Sequence, residues 1–164
     1  MNIEELNARL VESSEEGDEH IGDLLQYLTF IMNGEEYGVD ILSVQEIRGW
    51  EKCTSIPNSP DYVRGVLNLR GTIVPVIDLR VRFGLANAEY SAVTVVIVLK
   101  LKQDDKDKIM GLVVDAVSDV HAISESQINV SPDLGDNQNS EFITGLGQVG
   151  DKMLILLDLN NILD

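Results

Sequence analysis

The 164-residue chain carries 12 Lys and Arg against 28 Asp and Glu, a formal charge of -16, with 44% hydrophobic residues and a mean hydropathy of +0.02. That length suits one domain or two closely packed lobes, and the charge opposes phosphate backbones and anionic lipid, which excludes nucleic acid as a natural ligand. No run of roughly 18 uncharged apolar residues could span a bilayer, the N-terminus lacks the cationic start and apolar run of a secretory signal, and the lone Cys53 suits a reducing cytoplasm.

Residues 1–22 form an acidic leader with Glu4, Glu5, Glu12, Glu15, Glu16, Asp18 and Glu19 against Arg9. The spacing of Ile3, Leu6 and Leu10 predicts a short, frayed helix on a mobile tail. From residue 26 onward, short runs of Val, Ile and Leu broken by turn residues predict a β protein. Gln26 to Met32 and Glu35 to Asp40 flank Asn33-Gly34, a dipeptide that tolerates positive φ at both positions and so predicts a two-residue hairpin. Ile41, Val44 and Ile47, three apart, predict a helical turn. Further strands are expected at 64–68, 73–78, 92–101, 109–114, 142–149 and 153–158, with Asp104 to Lys108 as a solvated hairpin turn.

The chain also repeats itself. A shift of 80 lays Gly65-Val66 on Gly145-Leu146 and Val74 to Leu79 on Leu154 to Leu159 without a gap. A shift of 73 sets Tyr37-Gly38-Val39 and Ser43 to Ile47 against Met110-Gly111-Leu112 and Ala116 to Val120. Two copies of one small barrel, packed side by side, are the expected result. The approximate lobes are 26–85 plus crossing segments, and 92–160, within a domain at 23–164.

Catalytic candidates are few. His20 lies in the acidic leader, and His121 has no cysteine or second histidine at ligand spacing. Cys53 lacks an adjacent base or a CxxC partner and reads as a half-buried thiol. Gly145 to Gly150 spells GxGxxG, the one feature that would support a nucleotide-dependent oxidoreductase. A dinucleotide site needs those glycines to open a helix, whereas Asp151-Lys152 and an apolar strand follow, so they read as bends and a turn. Neither Asp104-Asp105-Lys106-Asp107 nor Asp133 to Asn137 has the alternating oxygens, central glycine and final glutamate of a calcium loop. Pro57 to Pro60 spells PxxP and reads as a rigid connector. No enzyme, cofactor or metal site is expected.

The segment Val63 to Arg80 is different in kind. Arg70-Gly71 falls at a turn between two apolar strands, where a guanidinium can offer five donors to a partner's carboxylate or carbonyl groups. It can also pair with an acid of its own chain such as Glu46, which would orient it at an interface.

That segment, together with Asn33 to Arg48, resembles the CheW family of chemotaxis coupling proteins, and the similarity continues through Thr94 to Leu99, Gly111 to Val120 and Phe142 to Leu163. The resemblance implies an all-β fold of two intertwined five-stranded SH3-like barrels around a shared apolar seam, with short helical segments. It implies a non-enzymatic adaptor without cofactors. One lobe would dock on the regulatory domain of the histidine kinase CheA, and a groove between the lobes would receive the helical hairpin tip of a chemoreceptor. Carried over by motif, the receptor groove involves Val44, Glu46, Ile47, Arg70, Val95, Val96, Gly111, Val117 and Val120, and the kinase face involves Ile41, Arg48, Gly65 and Gly71. A cytoplasmic protein recruited to membrane-associated receptor arrays, itself inserting in no membrane, is expected. A CheV-like adaptor or a fragment of the kinase's own regulatory domain would contain the same module, although the chain is expected to be too short to be either one whole.

Overall fold

The computed structural model describes residues 3, 4, 7, 8, 24–85, 91, 93–103, 106–130 and 142–162. His20, the run at 133–137 and most of the leader lie outside these residues. The strands are β1 (Leu24–Met32), β2 (Glu35–Asp40), β3 (Val44–Gly49), β4 (Val63–Leu69), β5 (Thr72–Asp78), β6 (Val95–Gln103), β7 (Lys106–Val114), β8 (Ala116–Ser124), β9 (Ile128–Val130), β10 (Ile143–Val149) and β11 (Lys152–Leu157). Two one-turn helices, α1 (Leu79–Arg82) and α2 (Leu159–Ile162), follow β5 and β11.

Two sheets result, one ordered β3-β6-β7-β5-β4 and the other β8-β1-β2-β11-β10-β9. Four strands cross between the sheets: β1 and β2, from the stretch expected for the first lobe, pair in the second sheet, and β6 and β7, from the stretch expected for the second, pair in the first. Each sheet curls. In a flat sheet the first and fifth strands stand roughly 19 Å apart, yet Arg70 in the β4–β5 turn reaches Glu46 on β3 at 2.8 Å. In the second sheet a Cβ at Gly147 of β10 would lie 3.1 Å from Ile123 of β8. The first and fifth strands meet in both lobes.

The repeat governs the architecture. Shifted by 80, β4 and α1 fall on β10 and α2, and β5 falls on β11 to within a residue. Each β4/β10 strand has a register break at its glycine, Gly65 or Gly145. Each lobe also holds one parallel pairing at a glycine, Val76 with Gly111 and Leu156 with Gly38. The first lobe has the five strands expected. The second gains β9, whose counterpart in the first is a single bridge from Thr54 to Val66.

Both faces of the central strands are buried, which explains uninterrupted runs such as Val95 to Leu99. Val95, Ile97 and Leu99 join a large seam shared by both sheets, whereas Val96 and Val98 turn into the first lobe with Cys53, Leu67, Val76 and Val113. Ile123, Leu154 and Leu156 fill the second lobe. A row of rings runs through the seam, Phe30 on Tyr37, Tyr37 beside Phe83, and Phe83 stacked on Phe142, with centroids 5.5–5.9 Å apart. Arg82 lies over both Tyr62 and Phe142, at 4.6 and 4.8 Å, joining the lobes at the seam's edge.

Two expectations need correction. The turn predicted for Ile41 to Ile47 is a 3-10 turn at Ile41–Ser43 only, started by Asp40 Oδ1 accepting from Leu42 N–H at 2.9 Å, and Val44 then opens β3. The run Asp104 to Lys108 is strand from Lys106 onward; Asp104 and Asp105 lie outside the described residues. The glycine run from Gly145 to Gly150 agrees with its reading as bends and a turn, because Gly150 follows the end of β10 and leads into β11 in a hairpin.

Candidate functional site

The β4–β5 turn is built from Asn68-Leu69-Arg70-Gly71. Asn68 Oδ1 accepts from Gly71 N–H at 2.9 Å, and both Arg70 (φ 52°) and Gly71 (φ 89°) are left-handed. Two left-handed central residues match the right-handed twist of a two-residue hairpin. Glycine takes this conformation freely, but a side chain there costs about 1 kcal/mol. At the equivalent turn of the second lobe the first position is Gly150, φ 59°. The first lobe therefore holds an arginine in a conformation that the second gives to glycine.

That guanidinium is 74% exposed and pairs with Glu46 at 2.8 Å. An exposed pair of this kind stabilises a fold by about 0–1 kcal/mol, no more than the strain it accompanies. Glu46 also lies 3.7 Å from Arg48, which donates to Glu51 at 2.8 Å. The hydrogen bond to Glu51 raises the Arg48 pKa above its ordinary value, against a smaller opposing effect of burial. Glu46 thus sits between two cations on the outer strand of its sheet.

Both outer strands also reach the shared seam. Val44 and Ile47 of β3 belong to the seam, and Val117 and Val120 of β8 pack against it half-buried. The shift of 73 makes Val44 the counterpart of Val117, and Ile47 that of Val120. The two outer strands β3 and β8 therefore present matching valine and isoleucine positions to one seam. Leu42, 64% exposed, stands just before β3.

The structure divides the residues inferred from the resemblance. Glu46, Arg70, Val117 and Val120 are at least partly accessible, while Val44, Ile47, Val95, Val96 and Gly111 are buried. Gly111 is packed so closely that a Cβ would lie 2.8 Å from Val96. Val44, Ile47 and Val95 pack into the shared seam, and Val96 and Gly111 into the first lobe's own core, so none of the five offers its side chain to a partner directly. On the kinase side Gly71 is exposed and Arg48 half-buried, but Ile41 is 5% exposed and Gly65 is interior, where a Cβ would overlap Thr54 O. Ile41 and Gly65 are packing residues.

Sequence reasoning missed two features. Asp78, fully buried, accepts from Arg80 Nε and Nη2, each at 2.9 Å, while Arg80 Nη1 donates to Asp115 at 2.9 Å. Burial disfavours the charged guanidinium, but the hydrogen bonds and charges of Asp78 and Asp115 outweigh it and raise the Arg80 pKa well above its ordinary value. Asp115 marks the passage from β7 to β8, and its other oxygen accepts from Asn33 N–H in the β1–β2 turn at 2.9 Å. One guanidinium thereby ties the two sheets together. The second feature is Asn7 in the leader, hydrogen-bonded to β3. The four-residue spacing of Ile3 and Asn7 was its available signal.

Among the described residues no three of His, Cys, Asp and Glu gather as a metal would need. His121 lies on β8 opposite Tyr27, and burial raises the Cys53 thiol pKa, with Glu51 adding to the effect. An exposed guanidinium at the β4–β5 turn and half-buried Val117 and Val120 on β8 are residues suited to holding another protein.

Comparison with known proteins gives a consistent picture. The family model for the CheW-like domain matches residues 26–164. A chemotaxis protein CheW of Klebsiella aerogenes is 48% identical over 138 residues, covering 84% of this chain and 81% of that one. The crystal structure of the scaffolding protein TtCheW from Thermoanaerobacter tengcongensis superposes with a TM-score of 0.76 at 33% identity, over 84% of this chain and 91% of that one. Chemotaxis protein CheV3 of Helicobacter pylori is 31% identical over 130 residues, 78% of this chain but 41% of its own length.

Proposed function

Because the chain belongs to the CheW family of chemotaxis scaffold proteins, we propose that it couples chemoreceptors to the histidine kinase CheA and catalyses no reaction itself. The receptor's helical hairpin tip lies along the cleft between β3 and β8, with apolar side chains over Val117 and Val120 and a polar group on Arg70 beside Glu46. The kinase's regulatory domain docks on the end of the first lobe near Gly71 and Arg48, where Ile73 is 59% exposed. The CheW reading is favoured over a CheV-like one by sequence identity, 48% to the Klebsiella aerogenes relative against 31% to CheV3. No helix among the described residues is long and apolar enough to cross a membrane, and the protein joins receptor arrays from the cytoplasmic side through its partners.

The observation that carries this reading is Arg70, held in a left-handed conformation that the second lobe gives to glycine. Strain kept at a surface turn needs a use outside the fold. Two substitutions test it. Arg70→Glu reverses the rim charge and places a second carboxylate beside Glu46, and it is expected to weaken pull-down of a receptor fragment and receptor-dependent kinase activation at least tenfold. Arg70→Gly removes the hook but also the strain, so its unfolding free energy should stay within about 1 kcal/mol of wild type while coupling is lost. Unchanged kinase activation in both variants would reject the role assigned to Arg70.

A further inference from the structure

The outer strand of each sheet has an outward-facing N–H at equivalent positions, Ile47 on β3 and Val120 on β8, and the two are capped by different means. Val120 N–H donates to the carboxylate of its own neighbour Asp119, Oδ1, at 2.7 Å. The equivalent neighbour of Ile47 is Glu46, but Glu46 is engaged with Arg70 and Arg48. Ile47 N–H instead donates to Asn7 Oδ1 at 3.0 Å, and Asn7 Nδ2 donates to Ile47 O at 3.2 Å. The carboxamide thus stands in for one peptide unit of an added strand, satisfying both groups that an edge leaves open.

Ile3, four residues before Asn7, packs against the seam, and Ile3, Glu4, Asn7 and Ala8 are helical. Residues four apart on a helix share a face, so one face of the leader supplies an apolar contact and an amide clamp to the rim of the cleft. The leader belongs to a segment, residues 1–22, with seven acidic residues against one arginine. Its described residues, Ile3, Glu4, Asn7 and Ala8, lie against β3, along which the receptor helix is placed above.

We propose that the helical residues Ile3, Glu4, Asn7 and Ala8 form an intramolecular cover for the β3 edge, clamped by Asn7, which a receptor tip must displace to bind there. This rests on the receptor assignment of the preceding subsection. Two hydrogen bonds and one apolar contact make a cover that a competing helix can lift, since each such bond contributes modestly in exchange with water. A bound state that must first release the cover has its apparent affinity reduced by the open fraction.

The test uses the full chain with Asn7→Ala, which leaves both sheets untouched and favours helix in the leader. Amide hydrogen exchange followed by NMR should accelerate at Ile47 and stay unchanged at Val120, and a receptor hairpin-tip fragment should bind about three- to tenfold more tightly. Unaltered exchange at Ile47 overturns the clamp, and accelerated exchange with unaltered affinity overturns the competition. Binding of the fragment by neither protein would overturn the receptor assignment itself and the cover with it, an outcome distinct from equal binding by both.

Discussion

Where the first lobe places Arg70 the second places Gly150, and where the first buries Arg80 the second exposes Asn160. Other positions agree closely. Gly65 and Gly145 both sit at a register break, Cys53 and Ile128 both pack inward beneath them, and Asp78 and Asp158 both precede a one-turn helix. Asp78 accepts from Arg80 N–H, and Asp158 from Asn161 N–H. The positions that agree are those a small curled sheet needs in order to close. The positions that differ put charge either on the rim of the cleft or between the lobes, so divergence within the repeat separates what builds a barrel from what this protein adds to it.

The buried triad should break that comparison most visibly. Arg80→Leu strands Asp78 at 0% exposure, with Arg64 Nε as a remaining cation 3.7 Å away. Removing one partner of a buried pair costs about 3–5 kcal/mol, and the loss should appear as a lower urea midpoint. Asn160→Leu, at the equivalent exposed site, should change stability by less than about 0.5 kcal/mol. Equal effects would mean that Arg80 does not tie the sheets together.

The paired glycines come next. Both lie against a backbone carbonyl, but Gly65 has φ 140° and a Cβ there would overlap Thr54 O, whereas at Gly145 the clash is with Asn129 O at 2.7 Å and φ is unremarkable. Gly65→Ala combines overlap with backbone strain and is expected to cost about 3 kcal/mol or more, Gly145→Ala about 1–2 kcal/mol. Thermal unfolding of the two variants orders them. A reversed order would show that the second lobe's β9 holds its carbonyl more rigidly than the single bridge at Thr54.

Much of this was legible in the sequence because it is local. Asn33-Gly34 and Arg70-Gly71 specify their turns, and the repeat at 80 foretold both hairpins and their spacing. β3 was hidden by its bulge. A register shift between Val44 and Glu46 lets Val44 and Ile47, three apart, face the same seam, so a strand borrowed the spacing of a helix. A similar shift opposite Val117 and Asp119 does the same to β8, whose half-buried residues gave no alternation to read. The exchange of strands between sheets was legible only as crossing segments, since pairing between strands as distant in the chain as those of Thr29 and Asp119, 90 residues apart, leaves no local signal. At the site, the Glu46–Arg70 pair was foreseeable from the turn. Which valines line the cleft was not, because Val95 and Val96 face opposite cores and neither faces solvent.

Cys53 offers the finest distinction between the lobes. It occupies the place of Ile128, a Cβ at Gly65 would lie 3.1 Å from it, and it is 9% exposed. In an acidic protein such a thiol has two reasons to resist ionisation: burial chiefly, and the charge of Glu51, both of which raise its pKa. Only the thiolate attacks an alkylating reagent, so a raised pKa lowers the reactive fraction at neutral pH and moves the rise in rate to more alkaline solution. Labelling by iodoacetamide should therefore be slower than for a free cysteine at about pH 7 and should accelerate at a higher pH than that of the free thiol. Urea, by releasing the side chain from the first lobe's interior, should restore the ordinary profile. Rapid labelling of the folded protein at neutral pH would show that the first lobe opens at the single bridge of Thr54, where the second is closed by β9.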